Sequence, residues 1–417
     1  MSLEDVDPVT FDDIEAAAER LDDDTVVKHT PVEVSTSLGR MVDADVVLKM
    51  EHLQWTGSFK PRGAYNKIKQ AVSSEDVDRV VAASAGNHAQ GVALAASKLG
   101  VAATIVMPRN APQTKIDATR GYGAEVELVG HNFQQAMAHA QEITSGSDVV
   151  FVHAYDDPYI IAGQGTVGLE LWEDCPEVDT VIVPIGGGGL IAGVATALAE
   201  VAPETRVVGV QAEKAATVPE ALNKGIPVSI DSVDTIADGI ATGNISALTL
   251  RAIQEHVDEV VTVPDSLIAQ SVLILLERAK QVVEGSGAAP VAAMLSDDLD
   301  VSGETVMPLL SGGNLDMTML QTVLVHALTA REQILRLWIR IDDVPGQMER
   351  ISGIIADHDA NIQTVRHDRA IPSLDVGEAY LVFQIETSGA EHAKHIVNSI
   401  EEAGYEIETV KRSPPAL

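Results

Sequence analysis

The chain has 417 residues, 46% apolar but only 3% aromatic, so it can bury more than one core and must build them from Ala, Val, Leu and Ile. Its 62 acidic residues against 28 basic ones give a formal charge of −34, a field that repels phosphate backbones and anionic lipid and argues against nucleic-acid or membrane partners. Cys175 is the one cysteine, which excludes an internal disulfide and fits a reducing compartment.

The N-terminus is acidic and lacks a basic-then-apolar signal segment, and no run of about 18 uncharged apolar residues offers a membrane span. A soluble, cytoplasmic protein is expected. The acid excess is spread along the chain: residues 331–417 hold 9 basic and 15 acidic residues, which leaves −28 for residues 1–330. Only 12 of the 28 bases are lysine. Self-repulsion of this size is relieved by concentrated salt, so the charge reads as a halophilic adaptation.

From about residue 45 to 320, short β-branched runs alternate with Ala-rich helical patterns. Val46–Leu48, Val80–Ala82, Ala103–Val106, Glu125–Leu128, Val181–Pro184, Val207–Gln211 and Val306–Leu309 are predicted strands. His88–Leu99 and Leu190–Val201 are predicted helices, with apolar positions three and four apart. Such alternation implies an α/β fold with parallel sheets, in which ligands bind where strands run into helices.

Near residue 330 the pattern changes. Glu332–Ile341, Asn361–His367, Glu378–Glu386 and Glu406–Lys411 read as strands, and Gln347–Asp357 and Glu391–Ala403 as helices. This βαββαβ order describes a small α+β unit with its own core. The expected division is therefore residues 1–328 and 333–417, with the boundary between 325 and 333.

Four stretches sit at strand ends. The first, Lys49 to Ala64, contains Thr56-Gly57-Ser58-Phe59-Lys60-Pro61 and places a lysine at a helix start. The second, Ala82 to Gly91, contains Ser84-Ala85-Gly86-Asn87-His88, whose amides and hydroxyl could bind a carboxylate. The third is Gly186-Gly187-Gly188-Gly189-Leu190, where free amides can crowd a phosphate. It is not a Walker loop, because no Lys-Ser/Thr pair follows, and no ribose-binding acid stands where a dinucleotide fold needs one. The fourth is Leu310-Ser311-Gly312-Gly313-Asn314. A lysine after a Gly-Ser turn is ordinarily just solvated, and a glycine turn serves tight packing as readily as anion binding. Their coincidence at comparable strand ends carries the functional signal.

Together these motifs resemble the threonine/serine dehydratase branch of the fold-type II pyridoxal-phosphate family, which includes serine racemase. The resemblance runs from Thr30-Pro31 to Asp316. It implies a core of two subdomains, the smaller being an insertion at about residues 53–155, and a homo-oligomer. It further implies that Lys60 forms a Schiff base with pyridoxal 5'-phosphate and that Phe59 lies beside its ring. Asn87 would meet the ring hydroxyl, Gly186, Gly187, Gly188, Gly189 and Leu190 the phosphate, and Ser311 the ring nitrogen. Ser84, Ala85, Gly86, Asn87 and His88 would hold the substrate carboxylate.

The implied reaction is deamination of L-threonine to 2-oxobutanoate and ammonia, with some L-serine going to pyruvate. In the implied pathway the product feeds isoleucine synthesis. The alternatives are a serine racemase and a catalytically silent amino-acid sensor. Racemases of this family carry a second serine where this chain has Ala85, and alanine cannot transfer a proton. Glu213 matches a cation ligand in some relatives, but Pro219 stands where those have a second acid, so no metal is expected. Glu284 matches a segment lining the cofactor pocket and is given no chemical role. The C-terminal unit resembles an ACT domain, with Asp343, Gly346 and Asn361 as candidate contacts for an amino-acid effector, or equally as turn residues of a dimerisation module.

Overall fold

The computed structural model describes residues 3, 6–22, 25–74, 77–144, 148–230, 232–369, 371 and 374–409. In chain order, β1 (Val32–Val34) and β2 (Asp45–Lys49) come first, then β3 (Arg79–Ala83), β4 (Ala102–Met107), β5 (Glu125–Leu128) and β6 (Val149–Phe151). These last four form a parallel sheet in the order β5-β4-β3-β6. β7 (Thr180–Pro184), β8 (Arg206–Ala212), β9 (Glu259–Val263) and β10 (Thr305–Pro308) then join the first two in a six-stranded sheet, β1-β2-β10-β7-β8-β9. All its pairings are parallel except that of β1 with β2. The parallel expectation is corrected at that edge: the three-residue Val-Glu-Val strand is too short to show a period and is half exposed.

Helices cover both sheets because the chain must cross over between parallel neighbours. Helix Pro158–Asp174 starts on an Asp157 cap that accepts from the amides of Tyr159 and Ile160, with proline in the first turn. Helix Asn87–Leu99 ends on Gly100 at φ +70°, a left-handed cap that suits glycine. Each sheet has its own core. Val181, Val183, Ile191, Val194, Val207 and Met307 fill the larger, and Ile68, Val80, Val92, Ile105 and Ile160 the smaller.

The chain divides into two compact units, Met1–Met319 and Leu320–Leu417. The helix Met317–Ala330 falls mostly to the second. No glycine or proline interrupts residues 315–344, so the sequence carries no break to mark that point. The second unit holds β11 (Ile334–Asp342), β12 (Asn361–Asp368), β13 (Glu378–Glu386) and β14 (Glu406–Thr409), an antiparallel sheet in the order β12-β13-β11-β14. Helices Gln347–Asp357 and Ala390–Glu402 bury Ile351, Ile355, Ile396 and Ile400 against Leu337, Ile339, Leu381 and Phe383. The end of the strand expected to reach Lys411 lies outside the described residues. Among the described residues no helix is long and apolar enough to cross a membrane.

Candidate active site

Three of the four motifs leave adjacent parallel strands, β2, β10 and β7, at the same sheet edge. After β2 the chain makes a short turn at Glu51–Leu53 and passes through Gly57 at φ +74°, a left-handed conformation that glycine tolerates. The turn is laced to the end of β10: His52 N–H donates to Leu310 O (2.8 Å), Phe59 N–H to Ser311 O (3.2 Å), and Gly313 N–H to Gly57 O (2.8 Å). Lys60 stands directly before helix Pro61–Ser74. Its amine donates to the carbonyl oxygen of Ala154 at 3.0 Å and sits 5.0 Å from the centre of the Phe59 ring. Burial pushes that amine down to about 8, against the opposing pull of Glu284. No carboxylate among the described residues lies in ion-pair range of Lys60.

The glycine turn after β7 is held open by its neighbours. Gly188 has φ +89° and caps helix Gly189–Val201. A Cβ on Gly187 would run into the Tyr155 ring, one on Gly189 would come 2.9 Å from Tyr155 Cβ, and one on Gly186 would lie 3.1 Å from Ile240 Cα. The turn therefore presents backbone at the start of a 13-residue helix, where amides and helix dipole both favour an anion.

The second motif comes from β3 in the other sheet. Ser84 Oγ accepts from Gly86 N–H at 3.1 Å, which leads the chain into helix Asn87–Leu99. The first helical turn leaves its amides without helical partners. Asn87 reaches across to Glu284, donating through Nδ2 at 2.8 Å. Ser286 Oγ donates to the same carboxyl at 2.6 Å, and burial pushes that carboxyl up. His88 turns away: its Nε2 meets Val152 O at 2.9 Å, and burial together with Lys60 pushes its pKa down to about 3. The ring is thus neutral and occupied, which leaves His88 its backbone amide for a ligand.

A buried ion network lies beneath the Lys60 turn. Lys49 Nζ donates to Thr30 O (2.8 Å), Glu170 (2.7 Å) and Asp174 (2.8 Å). Arg62 contacts Glu51 twice and Glu170 once, at 2.8, 2.7 and 2.7 Å. Lys49, Glu51 and Arg62 are all buried. Such a network holds the turn only if every charge is met, which is the case here.

The family model for pyridoxal-phosphate dependent enzymes matches residues 24–312, the stretch that contains all of these turns except the last two residues of the fourth. The chain belongs to this family.

Among relatives within it, an L-threonine ammonia-lyase of Thermotoga maritima is 43% identical over 402 residues, covering 96% of this chain and 100% of that one. Threonine deaminase isoform 2 of Solanum lycopersicum, in processed form, superposes with a TM-score of 0.72 at 36% identity, covering 77% of this chain and 90% of that one. Maize serine racemase gives the same TM-score at 35% identity, covering 78% and 100%.

The residues present suit the cofactor of a pyridoxal-phosphate enzyme. The glycine turn is a cradle that side chains would fill, and Lys60 offers an amine whose burial favours the neutral form and which is tethered only by a carbonyl oxygen. Phe59, Lys60, Asn87, Gly186 to Leu190 and Ser311 come together around the strand ends. Sequence reading missed Ala154 and Tyr155, which sit on a turn without a motif, and gave Asn314 no role. It named Lys49, Glu51 and Arg62 only as part of a stretch, because the network is closed by Glu170, which meets both Lys49 and Arg62, and Asp174, which meets Lys49, from helix Pro158–Asp174, more than a hundred residues away.

Glu213 is exposed in a short turn. Cys175 caps helix Pro158–Asp174, and burial pushes its thiol up. In the second unit, Asp343 accepts from Arg369 at 2.6 Å and meets His367 at 3.2 Å, and Gly346 at φ +95° caps the following helix. Asn361 lies elsewhere. The register pairs it with Glu386, opposite Ile334, whereas Asp343 follows the pair Asp342 and Glu378. One copy of the sheet therefore separates Asn361 from Asp343 by roughly 30 Å, at about 3.3 Å per residue, and does not bring the three effector candidates together.

Proposed function

We propose that this chain deaminates L-threonine to 2-oxobutanoate and ammonia, and L-serine to pyruvate and ammonia, by eliminating water across Cα and Cβ; the released enamine becomes an imine, and water then hydrolyses it to the 2-oxo acid and ammonia. The observation that carries it is Lys60, with its lowered amine pKa, set among the phosphate cradle, the Ser84–His88 turn and Ser311. The naming of the Thermotoga maritima relative, 43% identical along nearly the whole chain, supports the choice of substrate.

In this reading Gly186 to Gly189 and Leu190 hold the cofactor phosphate by their amides, Phe59 flanks the ring, Asn87 meets its hydroxyl and Ser311 its nitrogen. When bound, pyridoxal phosphate supplies the electron sink that makes the substrate Cα acidic. The Ser84 hydroxyl, braced by Gly86 N–H, and the amides of Ala85, Asn87 and His88 hold the substrate carboxylate, which fixes Cα. Lys60 Nζ, as a neutral amine, takes the Cα proton, and its lowered pKa keeps a useful share of it in that form. Ser311 is a hydroxyl rather than a carboxylate, so it does not hold a proton on the ring nitrogen, and that limits the sink in favour of elimination.

Racemisation needs a proton donor on the face opposite Lys60. Ala85, part-buried against the core of the smaller sheet, has none to give. The second unit is read as an ACT-like regulatory module that binds an amino acid such as isoleucine between two copies, because one copy leaves Asp343 and Asn361 apart. A homo-oligomer, a role in isoleucine synthesis and a salt-rich cytoplasm complete the proposal.

The test is release of 2-oxo acid from L-threonine and L-serine with pyridoxal phosphate, from ~0.1 to ~3 M KCl, a span that takes screening to saturation. Fast 2-oxobutanoate formation that rises with salt is expected. No 2-oxo acid from either substrate, in a protein that carries its cofactor, would retire the lyase reading. A threonine response to isoleucine that survives Asp343→Ala and Asn361→Ala together would retire the effector site.

A further inference from the structure

The amide of Asn87 has a donor end and an acceptor end, and the groups around it decide which faces where. The decision starts at Thr56 O, a backbone carbonyl that can only accept. Asn314 approaches it at 2.6 Å, so the approaching atom is Nδ2. The second hydrogen of that nitrogen goes to Asn87 at 2.8 Å, and the atom receiving it must be Oδ1. Asn87 Nδ2 is thereby turned towards Glu284, whose Oε1 takes one of its hydrogens at 2.8 Å. One hydrogen on Asn87 Nδ2 remains uncommitted.

Two glycines make room for this chain of bonds. A side chain on Gly57 would collide with Asn314 Oδ1, and one on Gly312 would collide with Glu284 and come 3.1 Å from Asn87 Nδ2. Both turns belong to motifs that otherwise serve Lys60 and Ser311. The three turns that carry Lys60, Asn87 and Ser311 therefore meet at one side chain, Asn314, which reaches neither Lys60 nor the glycine cradle.

We propose that Asn314 is a positioning residue: anchored on Thr56 O, it fixes the Asn87 amide so that its one free N–H is the hydrogen available to the cofactor ring oxygen. The inference rests on the reading that Asn87 meets that oxygen. A flipped Asn87 would set its carbonyl against the Glu284 carboxyl and offer the ring oxygen no hydrogen.

The experiment uses the full chain, stripped of cofactor and titrated with pyridoxal phosphate, following the visible band for its position and for the dissociation constant. Variants are Asn314→Asp, which keeps the size and loses both donors, Asn87→Ala, and the two combined. Asn314→Asp should weaken cofactor binding roughly five- to tenfold, the order of one lost hydrogen bond, and shift the band. In the Asn87→Ala background it should add nothing, because its effect passes through Asn87.

Should Asn314→Asp fail to fold, Asn314→Ala carries the same comparison. A normal band and dissociation constant in the Asn314 variant, with both altered in Asn87→Ala, overturns the positioning role alone. So do effects of the two changes that simply add, since a structural tether of the Thr56 turn would act independently. An unaltered band and constant in Asn87→Ala overturns the reading of Asn87 and this inference with it.

Discussion

Arg62 and Glu51 meet in a two-pronged contact, Nε to Oε2 at 2.8 Å and Nη2 to Oε1 at 2.7 Å, with both side chains buried. Arg62 lies two residues beyond Lys60, so this pair sets the first turn of the helix that Lys60 introduces. Removing one partner leaves a buried charge unmet. Arg62→Met should therefore cost about 3–5 kcal/mol of stability, and adding Glu51→Gln should recover part of it. Denaturant unfolding of the cofactor-free chain measures both; a loss near zero for the single change would mean the contact is not kept in solution.

The same network sets a pH dependence. Burial pushes the Glu170 carboxyl up, but Arg62 and Lys49 outweigh it and hold the group below its ordinary value of 4.5. A carboxyl lowered in the folded state contributes stability that is present above the unfolded value and is lost as pH falls through the folded one. Acid should thus weaken the fold progressively below about pH 4.5, and Glu170→Gln should flatten that slope. Unfolding midpoints recorded at stepped pH for both proteins make the comparison.

Lys60 predicts a separate pH dependence, in cofactor loading. Its amine titrates near 8, below the ordinary 10.5, so the neutral, nucleophilic form gains through pH 8. The rate at which the visible band appears on mixing should climb through that region and level off above it. Lys60→Ala should give no band and no turnover at any pH. A loading rate still climbing steeply at pH 10.5 would show that the amine is not weakened.

At the glycine turn the expectation is steric. Gly187→Ala puts a methyl into the Tyr155 ring, and overpacking of this kind costs about 1–3 kcal/mol, roughly five- to 150-fold in cofactor affinity if the strain falls on the turn. Tyr155→Leu in the same chain should recover some of that loss by removing the ring. Equal dissociation constants for Gly187→Ala and the parent would show that the turn yields instead.

Much of the fold is legible in the sequence. The seven strands predicted in the first 320 residues all form, most of them as β-branched runs short enough to be buried between crossover helices. β1 and β6 were missed for a physical reason: three residues cannot display a period. β9 is different, since Glu-Val-Val-Thr-Val is a readable run that the sequence reading passed over. At the site, sequence shows residues that sit in recognisable turns and hides those recruited across the chain. Lys60 and the four glycines announce themselves by local pattern. Ala154, whose contribution is a backbone oxygen, leaves no trace in side-chain identity, and the pairing of Arg62 with Glu170 depends on a helix crossing that no local pattern encodes.

The division of the motifs between two sheets has a practical consequence for redesign. The turns that bear Lys60, Ser311 and the four glycines leave strands β2, β10 and β7, whose separation is set by the spacing of hydrogen-bonded neighbours, about 4.8 Å each. They can be transplanted or preserved as one rigid block. The Ser84–His88 turn is delivered by β3 from the other sheet and touches that block mainly through Asn87. A library confined to the turns of the smaller sheet, with Asn87, Ala154 and Tyr155 kept, could retune which amino acid is accepted while the seat for the coenzyme stays as it is.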